Sequence, residues 1–159
     1  MCCEYGYINS PIGHIVMAEQ GNFIIAIDFC EKDELSKFDF VLDNSTLENC
    51  KLEMQQYFSG ERKHFSVPIK YETTEFRRKC YDALREVPYG EVATYKDIAT
   101  NIGNQKACRA VGLANNKNKL PIIVPCHRII GSSGKMVGYD GGIWRKEWLL
   151  NLEKTHKYS

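Results

Sequence analysis

Near residue 70 the chain changes its local punctuation, and this restricts its folding more than any other feature of the sequence. Before that point, short apolar runs (Gly6-Tyr7-Ile8, Ile12 to Met17, Phe23 to Phe29) are broken by Pro11, Gly13 and Gly21-Asn22, the pattern of brief strands joined by tight turns. One helix follows: Ser45 with Glu48 fits a capping box, Leu47, Leu52, Met54, Tyr57 and Phe58 are its apolar residues, and Gly60 stops it. Phe65 to Ile69 reads as a strand or an extended linker. Beyond it, capped helices take over. Thr73 or Thr74 opens one that carries Phe76, Cys80, Ala83, Leu84 and Val87 and ends at Pro88 and Gly90. Thr94 opens a short one over Tyr95 to Ile102 that Gly103 stops, Gln105 to Asn115 forms the next, and a last one spans Ile143 to Lys154 with Trp144, Trp148, Leu149 and Leu152 apolar. At 159 residues this is one domain or two small ones.

Charge divides at the same place. Residues 1–71 carry 6 Lys and Arg against 11 Asp and Glu, a net of −5, and residues 72–159 carry 15 against 9, a net of +6. A basic half suits a polyanionic partner, and a charge of that size is also compatible with an ordinary solvated face. No apolar run approaches the ~18 residues of a membrane span, and the N-terminus lacks the pattern of a secretion signal. Seven cysteines without a CxxC pair point to reduced thiols in a reducing compartment. Cys2, Cys3 and Cys30 match no zinc spacing, so no metal is expected.

Two short helices joined by a three-residue, Gly-containing turn form a helix-turn-helix signature, which many helical hairpins share. The second helix is built from small residues: Ala107, Cys108, Ala110, Val111, Gly112 and Ala114, with Arg109 as its long side chain. Such a helix suits tight helix packing or close approach to a partner. It lacks the Gln and Asn of a major-groove reader, and a smooth helix with one wedge fits a minor groove and a distorted duplex.

Pro125-Cys126-His127-Arg128 stands between Ile122-Ile123-Val124 and Ile129-Ile130. Of the seven cysteines, Cys126 alone has a histidine and an arginine beside it. A nearby base and positive charge lower a thiol pKa below its usual ~8.5 and make it a nucleophile. The residues alone leave open whether this is such a thiol or an inert core cysteine. Glu153, four residues after Leu149 and three after Leu150, borders the apolar face of the last helix, where surface glutamates are common.

Together, Arg109-Ala110-Val111-Gly112, the run Ile123 to Gly131, Gly138-Tyr139-Asp140-Gly141-Gly142 and Lys146-Glu147-Trp148-Leu149-Leu150 resemble the methylated-DNA–protein-cysteine methyltransferases, the O6-alkylguanine-DNA alkyltransferases of direct repair. Upstream, Val87 to Tyr95, Tyr57-Phe58-Ser59-Gly60 and Ser10-Pro11-Ile12-Gly13 extend the likeness over essentially the whole chain. The resemblance implies an α/β, ribonuclease-H-like N-terminal domain over 1–70. It implies a mainly α, winged-helix-like C-terminal domain over 71–159 that holds the DNA surface and the thiol.

It also implies the chemistry. Cys126 accepts an alkyl group from O6-alkylguanine, and from O4-alkylthymine, in a single turnover. His127 acts through a bridging water and Glu153 orients it; Tyr95 protonates the leaving base; Asn118 ties the preceding loop to the site. Tyr139 and Gly141 wall the pocket, and backbone at Ile129 and Asp140 reads the base edge. Ala107, Cys108 and Gly112 lie against the minor groove while Arg109 fills the gap left by the flipped base. No cofactor is implied. The partner is double-stranded DNA, the protein a monomer without membrane contact, cytoplasmic, or nuclear in a eukaryote. Arg128 is expected to brace the site.

Lys119 stands where the family often has proline. The zinc ligands of some members are absent. Non-catalytic relatives carry tryptophan in place of the cysteine, and Cys126 argues against that group. Two other classes stay in view: a helix-turn-helix lesion-binding or regulatory protein with a structural cysteine, and a cysteine hydrolase, for which the local protease signatures are missing.

Overall fold

The computed structural model describes residues 3–136, 138–139 and 141–159, so Asp140 and Cys2, both named above, lie outside the described residues. The chain divides into two compact units, Met1–Glu72 and Thr73–Ser159.

The first unit is α/β. Strands β1 (Glu4–Ser10), β2 (Gly13–Gln20) and β3 (Phe23–Cys30) form an antiparallel meander in the order β1-β2-β3. The expected runs match these strands in part: β1 extends past its run at both ends, β2 leaves Ile12 in the turn and continues to Gln20, and β3 adds Cys30, because ladder pairing continues past the apolar stretch. Ile8, Ile15, Met17, Ile24 and Ile27 are buried, and helix α1 (Ser45–Phe58) covers them with Leu47, Cys50, Met54 and Tyr57, all fully buried. Each such side chain contributes roughly 1.5–3 kcal/mol on leaving water.

Two expectations for this helix are corrected. The cap is Asn44, whose side chain accepts from Leu47 N at 3.0 Å, so Ser45 is the first helical residue rather than the cap. Leu52 is 52% exposed, and the inward position goes instead to Glu53, whose Oε1 accepts from Ser66 N and Val67 N at 2.8 and 3.1 Å. The carboxylate is tolerated there because it meets two backbone donors, of which Val67 N is buried and needs an acceptor. The segment near Ile69 is extended and bridges Ile24 in parallel. A 3-10 turn at Lys32–Lys37 was not anticipated.

The second unit is mainly helical. Helix α2 (Glu75–Arg85) is capped by Thr74, and α3 (Tyr95–Asn101) opens on a capping box in which Thr94 and Asp97 exchange hydrogen bonds. The partner of α3, α4 (Cys108–Asn116), starts three residues later than expected, and residues 102–107 join the two where a three-residue turn was expected. Asn104 is the physical reason. Its side chain accepts from Lys106 N and its carbonyl from Ala107 N, a local turn that competes with the first turn of the helix.

Short strands β4 (Ala93–Thr94) and β5 (Ile129–Ile130) pair in parallel and fasten the cysteine segment to the start of α3. Helix α5 (Ile143–His156) closes the unit. Of its four expected apolar residues only Leu149 is fully buried. Trp144 is 53% exposed, and Lys146 and Glu153 occupy the interior face instead. No helix among the described residues is long and apolar enough to cross a membrane.

Candidate active site

Pro125 bends the chain into the site. Its φ of −79° and ψ of 64°, with Cys126 N donating to Val124 O at 2.7 Å, describe an inverse γ-turn. Cys126, His127 and Arg128 then form one 3-10 turn, closed by Arg128 N donating to Pro125 O at 3.0 Å. Successive side chains on such a turn are spread about 120° apart, which separates the thiol from the imidazole beside it in sequence. All three residues are buried.

Glu153 of α5 is the hub. It is completely buried, and its carboxylate accepts from His127 Nε2 (2.6 Å), Arg128 Nε (2.8 Å), Arg128 Nη2 (3.0 Å) and Gly90 N (3.3 Å). Burial alone pushes its pKa up, but the His127 and Arg128 contacts together outweigh it and hold the carboxyl well below its ordinary range. Arg128 is braced in turn by donating from Nη1 to Val87 O at 2.7 Å and lies 5.7 Å above the Tyr89 ring. This is the bracing role expected of it.

An ionised carboxylate can only accept, so the proton in the 2.6 Å contact sits on His127 Nε2. Burial lowers the His127 pKa, and Arg128 and Lys146 push the same way against the pull of Glu153, so the ring is neutral. Nδ1 therefore keeps its lone pair. It is buried and finds no partner among the described residues. A neutral, oriented imidazole with a free basic nitrogen is the equipment of a general base.

Tyr95 opens α3, and its ring lies against Gly112 of α4, with Cε1 3.8 Å from where a Cβ would stand. Its pKa is raised, first by burial and then by the negative charge of Cys126, so the phenol keeps its proton at neutral pH. Lys146 was missed as a site residue by sequence reasoning. It is fully buried in α5 and donates from Nζ to Ile129 O. Burial lowers its pKa while Cys126 raises it, so this cation and the thiol share one electrostatic field. The only sequence signal was a lysine three residues before Leu149 on the apolar side of the helix. The remaining buried thiols contrast with this setting: desolvation pushes Cys50 up to about 12 and also raises Cys30 and Cys80. At Cys30 the carboxylates of Glu34, Asp28 and Glu31 add to the rise against a pull from Lys37, and at Cys50 Glu53 adds to it.

Asn118 spans the loop ahead of the cysteine, donating to Val124 O and accepting from Leu120 N, both at 2.9 Å. It encloses a turn in which Ile122 takes a φ of 74° while buried, a strained conformation for a β-branched residue. Asn115 reaches the Cys126 carbonyl at 3.5 Å. Ile129 is fully buried, Tyr139 nearly so, and Gly141 O accepts from Arg145 Nη1 at 2.7 Å.

On α4, Ala107 is the buried cap residue, Cys108 is half-buried, and Arg109 is exposed with no hydrogen bond or ion pair among the described residues. Leu113, one turn on, is 52% exposed, so this helix face is less uniformly small than its other residues suggest. No group of three His, Cys, Asp or Glu suited to a metal occurs among the described residues.

Family models cover both units. The ribonuclease-like domain of 6-O-methylguanine DNA methyltransferase matches residues 4–71, and the DNA binding domain of the same family matches residues 75–155. The chain belongs to the 6-O-methylguanine DNA methyltransferase family. A methylated-DNA–protein-cysteine methyltransferase of Methanosarcina acetivorans is 45% identical over 151 residues, 94% of this chain and 97% of its own. The crystal structure of Mycobacterium tuberculosis O6-methylguanine methyltransferase matches with a TM-score of 0.88 at 39% identity, covering 98% of this chain and 94% of that one. A structure of the M. tuberculosis protein in complex with DNA matches at 0.87 and 40% identity, covering 96% and 94%. The methyltransferase fold expected from the sequence, a ribonuclease-like domain followed by a helical DNA-binding one, is the fold observed.

Proposed function

We propose that Cys126 is the acceptor through which this methyltransferase removes an alkyl group from O6-alkylguanine in double-stranded DNA. The enzyme class follows from the family, and the residue roles are those the resemblance implies, set on the geometry of this site. The observation that carries them is the contact between His127 and Glu153, which leaves Nδ1 of a buried neutral imidazole as a base on the residue next to a buried thiol.

The thiol proton passes to His127 Nδ1 through one bridging water. The thiolate attacks the saturated alkyl carbon, the S–C bond forms, and the C–O6 bond breaks with its electron pair going to the purine. Tyr95 protonates the departing purine and later recovers a proton, so the thiol's lost proton balances the one gained by the guanine. As the thiolate becomes an uncharged thioether, the charge that raised the Tyr95 pKa disappears, which makes the phenol a better acid at the moment its proton is needed. The thioether offers no leaving group, and each molecule reacts once.

Access to the base requires extrusion from the duplex, at a cost of a few kcal/mol. Arg109, exposed and uncommitted, enters the vacated stack while Ala107, Cys108 and Gly112 approach the minor groove. Backbone at Ile129 and around Gly141 reads the base, with Tyr139 as a wall. The protein works as a monomer, and an O4-alkylthymine is accepted by the same site.

Intact-mass analysis after mixing with duplex DNA that contains O6-methylguanine tests this. One methyl group should be added, mapped to Cys126. An unmodified protein, or methyl transfer that continues beyond one equivalent, overturns the proposal.

A further inference from the structure

The wall of the pocket is fastened from outside. Helix α5 begins at Ile143, and its first turn holds the loop before it by two contacts that a third ties together. Arg145 Nη1 donates to Gly141 O at 2.7 Å. The Arg145 guanidinium lies 4.5 Å above the Trp144 ring. The Trp144 indole edge fills the space beside Gly142, where a Cβ would meet Cδ1 at 3.3 Å and Nε1 at 3.4 Å. Gly142 itself is at φ 93°, a region open to glycine, and its N–H donates to Tyr139 O at 2.9 Å. Tyr139, Gly142, Trp144, Arg145 and Gly141 thus form one connected chain that runs from the pocket wall to the surface of α5.

Trp144 is 53% exposed. Its covered part packs against Gly142 and lies under Arg145, so the ring is the contact through which the start of α5 reaches the loop. We infer that Trp144 and Arg145 are positioning residues that set the aperture of the alkyl pocket and make it selective for small groups. The inference rests on the proposed placement of the alkyl group beside Tyr139 and Gly141.

The physics is pre-organisation. A loop held at a carbonyl and against a ring keeps the wall where a methyl carbon meets the thiolate in line, and geometry of that kind controls rate steeply. The same rigidity resists the outward shift that a benzyl group demands. Releasing the brace slows methyl transfer and eases entry of the larger adduct.

The test compares single-turnover rates on duplex oligonucleotides carrying O6-methylguanine or O6-benzylguanine, for the wild type, Arg145→Ala, Trp144→Ala and Trp144→Phe. Arg145→Ala loses the bond to Gly141 O and the cation–π contact, Trp144→Ala the cation–π contact and the packing on Gly142, and each is expected to shift the benzyl-to-methyl rate ratio by about threefold or more. Trp144→Phe keeps a ring under the guanidinium and retains the wild-type ratio. Duplex affinity and its salt dependence stay unchanged. An unaltered ratio overturns the inference, whether both rates are unchanged or fall by one common factor. Weaker, less salt-sensitive DNA binding in Arg145→Ala overturns it too, since that makes Arg145 a phosphate contact. A wild type that reacts with neither lesion defeats the proposed function itself, which separates the two failures.

Discussion

His127 Nε2 and Glu153 Oε2 meet at 2.6 Å with both side chains completely removed from solvent, and the carboxylate is shared with the guanidinium of Arg128. One acidic group therefore sets the tautomer of the histidine, neutralises the arginine and joins α5 to the cysteine turn.

Removing that charge has a large structural cost. Glu153→Gln leaves the Arg128 cation buried without its counter-charge, and breaking a buried pair in this way costs about 3–5 kcal/mol. Denaturant unfolding should report a loss in that range, and alkyl transfer should slow sharply in the fraction that remains folded. A variant of near wild-type stability shows that the carboxylate is not the hub described here.

Acid should weaken the fold in two stages. His127 has a folded pKa below its ordinary 6.5, so the unfolded chain binds its proton first, and stability is lost as pH falls from about 6.5 toward the folded value. Glu153 is likewise depressed, from 4.5, so its contribution is complete above that pH and lost below it. Urea midpoints measured from pH 8 to pH 3 should decline along both segments. In His127→Gln the decline between pH 6.5 and 4.5 should flatten; an unchanged slope refutes the buried neutral imidazole.

Asn118→Ala removes two hydrogen bonds that enclose the Ile122 turn, leaving Leu120 N without its acceptor and Val124 O with the bond from Cys126 N alone. The expected penalty is ~1–3 kcal/mol for the unpaired Leu120 N. The transfer rate should fall along with thermal stability, because the turn leads directly into Pro125 and Cys126. Stability lost without a change in rate separates the loop from the positioning of the thiol.

Arg109→Ala is expected to do the reverse. The residue is exposed and unpaired among the described residues, so stability should stay within about 0.5 kcal/mol of wild type. Repair of duplex DNA should slow about ten- to hundredfold, since the extruded base loses the group that replaces it in the stack, while reaction with the free modified base is untouched. Equal slowing on both substrates rules out the wedge role.

Gly90 sits at φ 81°, and a Cβ there would lie 2.7 Å from Lys157 Cγ. Gly90→Ala should cost about 1–2 kcal/mol from the left-handed backbone alone. Combining it with Lys157→Ala removes Cγ and Cδ, the two nearest clashing atoms, and leaves the contact with Cβ at 3.0 Å and the backbone strain. Thermal unfolding of the two single variants and the double variant measures the difference, and full recovery in the double variant shows that the backbone conformation is not the constraint.

Local signals in the sequence were sufficient for the strand cores, for the cap at Thr94 and, to within the choice between Thr73 and Thr74, the cap of α2, and for the Pro125-Cys126-His127-Arg128 turn, because each depends on neighbours within a few residues. They misplaced the start of α4 and the cap of α1, where Asn104 and Asn44 offered a competing local hydrogen bond. Three facts were decided only by tertiary structure: the burial of Lys146, the exposure of Trp144, and the four donors around Glu153. A glutamate beside an apolar helix face is most cheaply left in water. Its burial becomes favourable only when donors 25, 26 and 63 residues away in sequence converge on it, and no local pattern encodes that convergence.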